Sequence, residues 1–228
     1  MSGPRPPVDG AALAHRMAAV HDRIAAAGGD PARVRLLAVT KGVGPEVIAT
    51  AAGLGLVDLG ESYAQELVAK AEALDDLALR WHFIGGLQRN KVRLVAPYVT
   101  LWQSVDRLSL AAEIARRAPG AAVLVQVNAS GAEGQGGCPP ERVSAVVEGC
   151  RDLGLDVRGL MAIGAQGRPD EVRAGFRLVR DLADGLALVE RSMGMSGDLD
   201  LAVAEGSTMV RVGTALFGPR PERPVVGK

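Results

Sequence analysis

Residues 35–45 read Arg-Leu-Leu-Ala-Val-Thr-Lys-Gly-Val-Gly-Pro, and the placement of this stretch decides the fold. Leu36 to Val39 is an apolar run without period-two alternation, the pattern of a strand buried on both faces. Lys41 follows directly, and Pro45 heads a helical stretch to Ala52. A buried strand running at once into a helix is the repeating unit of a parallel sheet.

The same unit recurs outward along the chain. Strands are expected near Arg35–Thr40, Leu56–Leu59, Trp81–Ile84, Thr100–Gln103, Ala122–Val127, Asp156–Met161, Leu188–Met193 and Met209–Val212. Helices are expected between them at Pro45–Ala52, Tyr63–Leu74, Leu87–Val95, Arg107–Arg117, Pro140–Leu153, Pro169–Leu182 and Leu199–Glu205, the last stopped by Gly206. A further amphipathic helix, Val8 to Ala27, precedes the first strand and stops at Gly28-Gly29. This order predicts an α/β fold, a single (β/α)8 TIM-type barrel with an additional N-terminal helix. An open doubly wound sheet is the alternative, but Lys41-Gly42-Val43-Gly44 is not the glycine-rich fingerprint that it would place after its first strand.

The 228 residues suit one such barrel, which takes about 200 to 250. Expected boundaries are a lead over residues 1–7, a barrel over 8–218 and a tail over 219–228. The 26 basic side chains balance the 26 acidic ones, which argues against nucleic-acid or anionic-membrane binding. No run approaches a membrane span or a signal peptide, and Cys138 and Cys150 are too few for a disulfide framework and lack metal-ligand spacing. A cytoplasmic protein is expected, and a monomer.

Lysines are scarce: Lys41, Lys70, Lys91 and Lys228 are the complete set. Active faces of these barrels lie where strands end, so Lys41 stands at the mouth, where partial burial favours a neutral, nucleophilic amine. Lys70 lies within a helix, Lys91 between Arg89 and Arg93 near a helix start, and Lys228 is terminal, so none of them suits a buried imine. After the seventh strand, Ser192-Met193-Gly194-Met195-Ser196 leads into the helix at Leu199, with Ser196 expected as its N-cap. After the eighth comes Arg211-Val212-Gly213-Thr214. Capping and turn chemistry explain either loop alone. Together, lying across the barrel from Lys41, they suggest a cup for phosphate and so a phosphorylated aldehyde.

Several ordered motifs carry a resemblance: LLAVTKGVGPEVI around Lys41, GESYAQEL from Gly60, WHFIGGLQRNK from Trp81, SVDR from Ser104, VLVQVNASG from Val123, RGLMAIG from Arg158, and SMGMSGDLDLAVAEGSTMVRVGTALFG from Ser192. Over essentially its whole length the chain resembles the pyridoxal 5'-phosphate (PLP) homeostasis proteins, relatives of the alanine racemase barrel domain. The resemblance implies a PLP cofactor held as a Schiff base on Lys41, phosphate contacts from Ser196, Gly213 and Thr214, and Arg211 facing the pyridine nitrogen. A guanidinium only donates, so it would keep that nitrogen unprotonated and make the cofactor a weak electron sink. An ion pair of Arg211 with Glu61 is the competing reading.

The full candidate cofactor-binding set is Lys41, Ser62, Ser192, Ser196, Arg211, Gly213 and Thr214, with no catalytic residue and no metal ligand. Ser62 stands where the family's GENY-type motif has asparagine, and Gly86 where its GHLQ-type motif has histidine. Gln135 occupies a region where some relatives carry lysine. His82, between Trp81 and Phe83, reads as a satisfied core histidine, and His15 and His21 as solvated. The implied function is PLP homeostasis by a carrier or buffer without substrate turnover, with PLP-dependent apo-enzymes as candidate recipients. A PLP-dependent amino-acid racemase is the alternative. It needs a second base, and Tyr63 and Tyr98 are poor candidates; the chain also ends soon after the eighth strand, where a racemase continues into another domain. A phosphate-binding aldolase or isomerase is a third, weaker reading.

Overall fold

The structure is a computed structural model that describes residues 9–132, 134–164 and 167–219. Residues 1–8, which include the expected lead and Val8, and residues 220–228 of the expected tail lie outside that description. The chain begins with α1 (Gly10–Ala26) and continues β1 (Arg35–Val39), α2 (Pro45–Gly53), β2 (Asp58–Glu61), α3 (Ala64–Ala73), β3 (Arg80–Phe83) and α4 (Val92–Val95), the last entered through a 3-10 turn. It then runs β4 (Val99–Val105), α5 (Leu108–Arg117), β5 (Ala122–Val127), α6 (Val143–Asp152), β6 (Asp156–Ala162), α7 (Pro169–Gly185), β7 (Glu190–Met195), α8 (Leu199–Ala204), β8 (Met209–Val212) and α9 (Thr214–Phe217).

The strands close in sequence order into an eight-stranded barrel, with every neighbouring pair parallel. Closure comes from β1 against β8, with Leu37 opposite Arg211 and Ala38 opposite Val212. The open-sheet alternative is thereby excluded. It also corrects the expected position of the loop after β8, which adjoins Lys41's strand rather than facing it across the barrel.

Two apolar layers follow from the period-two geometry of strands. Leu36, Ala38, Trp102, Val123, Val125, Leu160, Val210 and Val212 belong to the larger core shared with the helices. Leu37, Leu101, Ala122, Leu124, Met161 and Met209 form a second cluster, with Ile84 and Ile163 against it, which fills the barrel interior. Both sides of the sheet are therefore buried, which explains the missing alternation in Leu36 to Val39.

Local chemistry sets the boundaries. Asp9 caps α1 through its Oδ1, which accepts from Ala11 N–H at 3.3 Å, and Gly28, at φ +87°, provides the left-handed stop. Pro45 and Pro169 stand in the first turns of α2 and α7. Several expectations shift: β2 runs Asp58–Glu61 rather than Leu56–Leu59, the helix expected from Leu87 begins only at Val92, β7 continues to Met195, past the expected end at Met193, and α9 adds a one-turn helix after β8 that the sequence did not signal. α1 braces this side of the barrel, with Arg23 donating to Ser196 O (2.9 Å) and pairing with Asp200 (2.5 Å), and Arg16 donating to Leu216 O (3.0 Å).

Leu124 is fully buried in the interior layer, so Leu124→Ala should cost about 2–5 kcal/mol in a urea unfolding titration.

Candidate functional site

Lys41 lies in the turn between β1 and α2 and is partly buried. Thr40 C=O accepts from Val43 N–H at 2.8 Å, and Gly42 has φ +70°, the left-handed value that a type II turn requires at its third residue. Three bonds from β2 and α3 hold this turn. Thr40 Oγ1 donates to Glu61 Oε1 (2.7 Å), Gly42 N–H donates to Glu66 Oε1 (2.5 Å), and Lys70 Nζ donates to Thr40 O (2.6 Å). Lys70 also reaches Glu61 Oε1 and Glu66 Oε1, each at 2.6 Å. Its three ammonium protons thus have three acceptors.

Lys70 is therefore buried, which its place in a helix did not suggest, yet it is committed to a structural pair. Burial pushes the Glu61 carboxyl above its ordinary range, against the pull of Lys70. This pair also removes Glu61 as a partner for Arg211.

Arg211, on the inward parity of β8, is buried, and burial pushes its guanidinium down to about 10, so it remains charged at neutral pH. Nη1 donates to Ser192 O (2.6 Å) and Ser192 Oγ (2.9 Å), and Nη2 donates to Ala162 O (2.7 Å). Those three bonds use three of its five N–H donors. Ser192 itself is fully buried in β7 and passes its hydroxyl proton to Gln103 Oε1 at 2.7 Å. It lies within the span expected for the seventh strand and so is not part of the β7–α8 loop with which it was grouped.

Ser196 corrects a second expectation. The N-cap of α8 is Asp198, whose carboxylate accepts from Met195 N–H, while Ser196 Oγ accepts from Ala215 N–H of α9 at 3.3 Å. The β7–α8 and β8–α9 loops are thus tied together through one of the candidate phosphate ligands. Gly213 lies against the end of β1, where an added Cβ would come within 3.3 Å of Val39 O. Thr214 opens α9 beside it. Ser62 follows β2 and packs so tightly on Gly85 that a Cβ there would stand 2.2 Å from Ser62 O. Ser62 and Gly86, the two departures from the family motifs, line one polar cleft with Tyr63 and Lys91.

Closure of the barrel thus brings Lys41, Arg211, Gly213 and Thr214 to one sector of the mouth, and the Ser196–Ala215 bond adds the β7 loop. Asp58, His82 and Gln103 form a buried polar chain inside the barrel that leads to Ser192, with the exposed Arg80 paired to Asp58 at its outer end. Its available signal in the sequence was a polar residue at an inward position of an otherwise apolar strand. Among the described residues no cluster of three or more His, Cys, Asp or Glu could hold a metal ion. Cys138 and Cys150 are free, and burial pushes both thiols up to about 11.

The profile described as "Alanine racemase, N-terminal domain" matches residues 8–221. The pyridoxal phosphate homeostasis protein of Pseudomonas aeruginosa is 43% identical over 216 residues, covering 91% of this chain and 94% of the relative. That of Aquifex aeolicus is 44% identical over 198 residues, covering 82% and 87%. The chain belongs to the pyridoxal phosphate homeostasis protein family. Among solved structures, PipY of Synechococcus elongatus with PLP bound aligns at TM-score 0.80 and 35% identity, covering 90% of this chain and all of that one (100%). An alanine racemase from Clostridium difficile, at 16% identity and TM-score 0.68, shares the fold over 91% of this chain and 58% of its own.

Two substitutions probe the polar framework of the family barrel. Lys70→Met strands the Glu61 carboxylate in a buried position and should destabilise by about 3–5 kcal/mol in chemical denaturation. Asp58 is pushed up by burial, but hydrogen bonds from Arg80 and His82 and the Arg80 charge outweigh this and hold its carboxyl well below the usual range. Its folded-state pKa lies below its unfolded value, so its contribution is present above about pH 4 and is lost as pH falls from there. Asp58→Asn should therefore flatten the acid limb of a plot of unfolding midpoint against pH.

Proposed function

We propose that this protein binds PLP as a Schiff base on Lys41 and serves PLP homeostasis as a carrier or buffer, without turning over a substrate. The observation that carries this reading is the juxtaposition enforced by barrel closure: the lysine turn after β1 beside the Arg211–Gly213–Thr214 segment of β8. When bound, PLP supplies an aldehyde that an amine captures reversibly.

The residues fit the group. The turn that presents Lys41 is fixed at Thr40 and Gly42 by Glu61, Glu66 and Lys70, so the amine is offered from a rigid backbone. Gly213 permits close approach between the end of β1 and the β8 loop, and Thr214 and Ser196 add hydroxyls for a phosphate dianion. Arg211, anchored through Ser192 and Ala162, keeps donors in reserve for the ring nitrogen. A donor in that place keeps the nitrogen unprotonated and suppresses carbanion chemistry, which suits storage rather than catalysis.

The racemase reading loses support from the tyrosines. Tyr98 OH donates to Glu72 Oε1 of α3 at 3.0 Å, and Tyr63 is exposed at the start of α3. The names of the relatives, homeostasis proteins and a PLP-bound PipY, favour the carrier. Recipient apo-enzymes and an intracellular setting belong to the same proposal. They are consistent with two free, buried cysteines, and no helix among the described residues is long and apolar enough to cross a membrane.

Borohydride reduction followed by peptide mapping tests the linkage. The expected outcome is a stable adduct on the peptide containing Lys41, absent in Lys41→Ala, together with PLP transfer to an apo-enzyme and no D-enantiomer formed from any common L-amino acid. A reducible adduct that persists in Lys41→Ala overturns the proposed linkage, and sustained racemisation overturns the carrier reading.

A further inference from the structure

Inside the barrel, Arg211, Ser192, Gln103, His82 and Asp58, one from each of five strands, form one continuous hydrogen-bonded chain. Arg211 Nη1 donates to Ser192 Oγ (2.9 Å), Ser192 Oγ donates to Gln103 Oε1 (2.7 Å), and Gln103 Nε2 lies 2.8 Å from His82 Nδ1. His82 Nε2 lies 3.2 Å from Asp58 Oδ1, and Asp58 is held by Arg80 at 2.7 and 2.6 Å. Gln103, His82, Ser192, Asp58 and Arg211 are all buried.

Chemistry at the two ends dictates the direction of every link. A guanidinium can only donate, so Ser192 Oγ accepts from Arg211 and must send its own proton to Gln103. Gln103 therefore presents its carbonyl oxygen to Ser192 and its NH2 group to His82. His82 Nδ1 must then accept, which puts the ring proton on Nε2, where the Asp58 carboxylate, an acceptor only, receives it. No member can reverse alone without bringing two donors or two acceptors face to face.

We infer that Gln103, with His82 behind it, is a positioning residue for the cofactor: through Ser192 it fixes the orientation of Arg211 and ties the cofactor pocket to the Asp58–Arg80 pair at the start of β2 and β3. This rests on the reading that Arg211 faces the PLP ring. The amide cannot flip while Arg211 and Asp58 hold the ends, so Ser192 Oγ stays an acceptor for Nη1, and the remaining N–H groups of Arg211 stay available to the ring. Among the described residues, Gln103 Nε2 has only Met209 Sδ (3.2 Å) as a second contact, a weak acceptor that cannot replace His82 in setting the amide's direction.

The test uses the PLP-loaded full chain and reads two properties: the visible absorption band of the bound cofactor, and the rate of its release after dilution into an excess of an apo-enzyme acceptor. Gln103→Met keeps the volume and removes both polar atoms. It should move the band and speed release roughly five- to tenfold, the size of one lost neutral hydrogen bond. Gln103→Glu keeps an acceptor for Ser192 but sets a second acceptor against His82 Nδ1 and adds a buried charge, so it should shift the band and speed release as well. His82→Phe, which touches neither Ser192 nor Arg211, should shift the band in the same direction as Gln103→Met, and it decides the matter if Gln103→Met does not fold. A folded Gln103→Met or His82→Phe protein with the wild-type band and release rate overturns the inference, and a Gln103→Glu protein with the wild-type band and rate overturns it as well.

Lys41→Ala and Arg211→Met are run in parallel. If Lys41→Ala retains the reducible adduct, or Arg211→Met retains the wild-type band, the underlying site reading fails and takes this inference with it. If both controls behave as expected and only the Gln103 and His82 variants are silent, the site reading stands and the positioning role alone is wrong.

Discussion

The pairing of β1 with β8 is the constraint on which the rest of the molecule depends. It sets Leu37 beside Arg211 and Ala38 beside Val212, joining segments that lie far apart along the chain. Without it the sheet would have two edges, and the lysine turn and the β8 loop would stand at opposite ends. With it, the amine, the guanidinium and the small residues of two loops share one sector of the mouth. α1 strengthens the same region from outside, through Arg16 and Arg23 on the backbone of the loops that Ser196 ties together.

Burying charge inside such a barrel is costly unless every charge is paired and hydrogen-bonded. The protein pairs its buried charges in two places, on opposite sides of one sheet, although Glu61 Oε2 is left without a hydrogen-bond partner. Between β2 and α3, Lys70 joins Glu61, Glu66 and the Thr40 carbonyl, and this cluster clamps the turn that carries Lys41. In the interior, the buried chain runs from Arg211 to Asp58, with Gln103 also touching Met209 of the apolar layer, and ends at the exposed Arg80. One network fixes the turn that carries Lys41, and the other fixes the Arg211 guanidinium.

Much of this was legible in the residues. Unbroken apolar runs such as Leu36 to Val39 announced strands buried on both faces, and proline and glycine positions set helix boundaries to within a few residues. The scarcity of lysine, together with its place after the first strand, singled out Lys41. Errors fell where one local reading had two outcomes. Ser196 has the chemistry of an N-cap, yet Asp198 takes that position and frees Ser196 for α9. Lys70 reads as an ordinary helical lysine, and nothing local marks the two carboxylates and the carbonyl that bury it. His82 read correctly as satisfied, but its partners, Asp58 and Gln103, come from other strands.

The sequence by itself determined the repeating unit, the count of strands, the family and the candidate lysine, because these depend on periodicity, residue type and order along the chain. Only the tertiary structure decided which polar groups meet: that β8 lies beside β1, that Glu61 belongs to Lys70 and not to Arg211, and that Ser192 supports the guanidinium from within the barrel. The physical reason is that hydrogen-bond and charge partners are chosen by register between strands and by which face a side chain takes, and neither is encoded in any one segment.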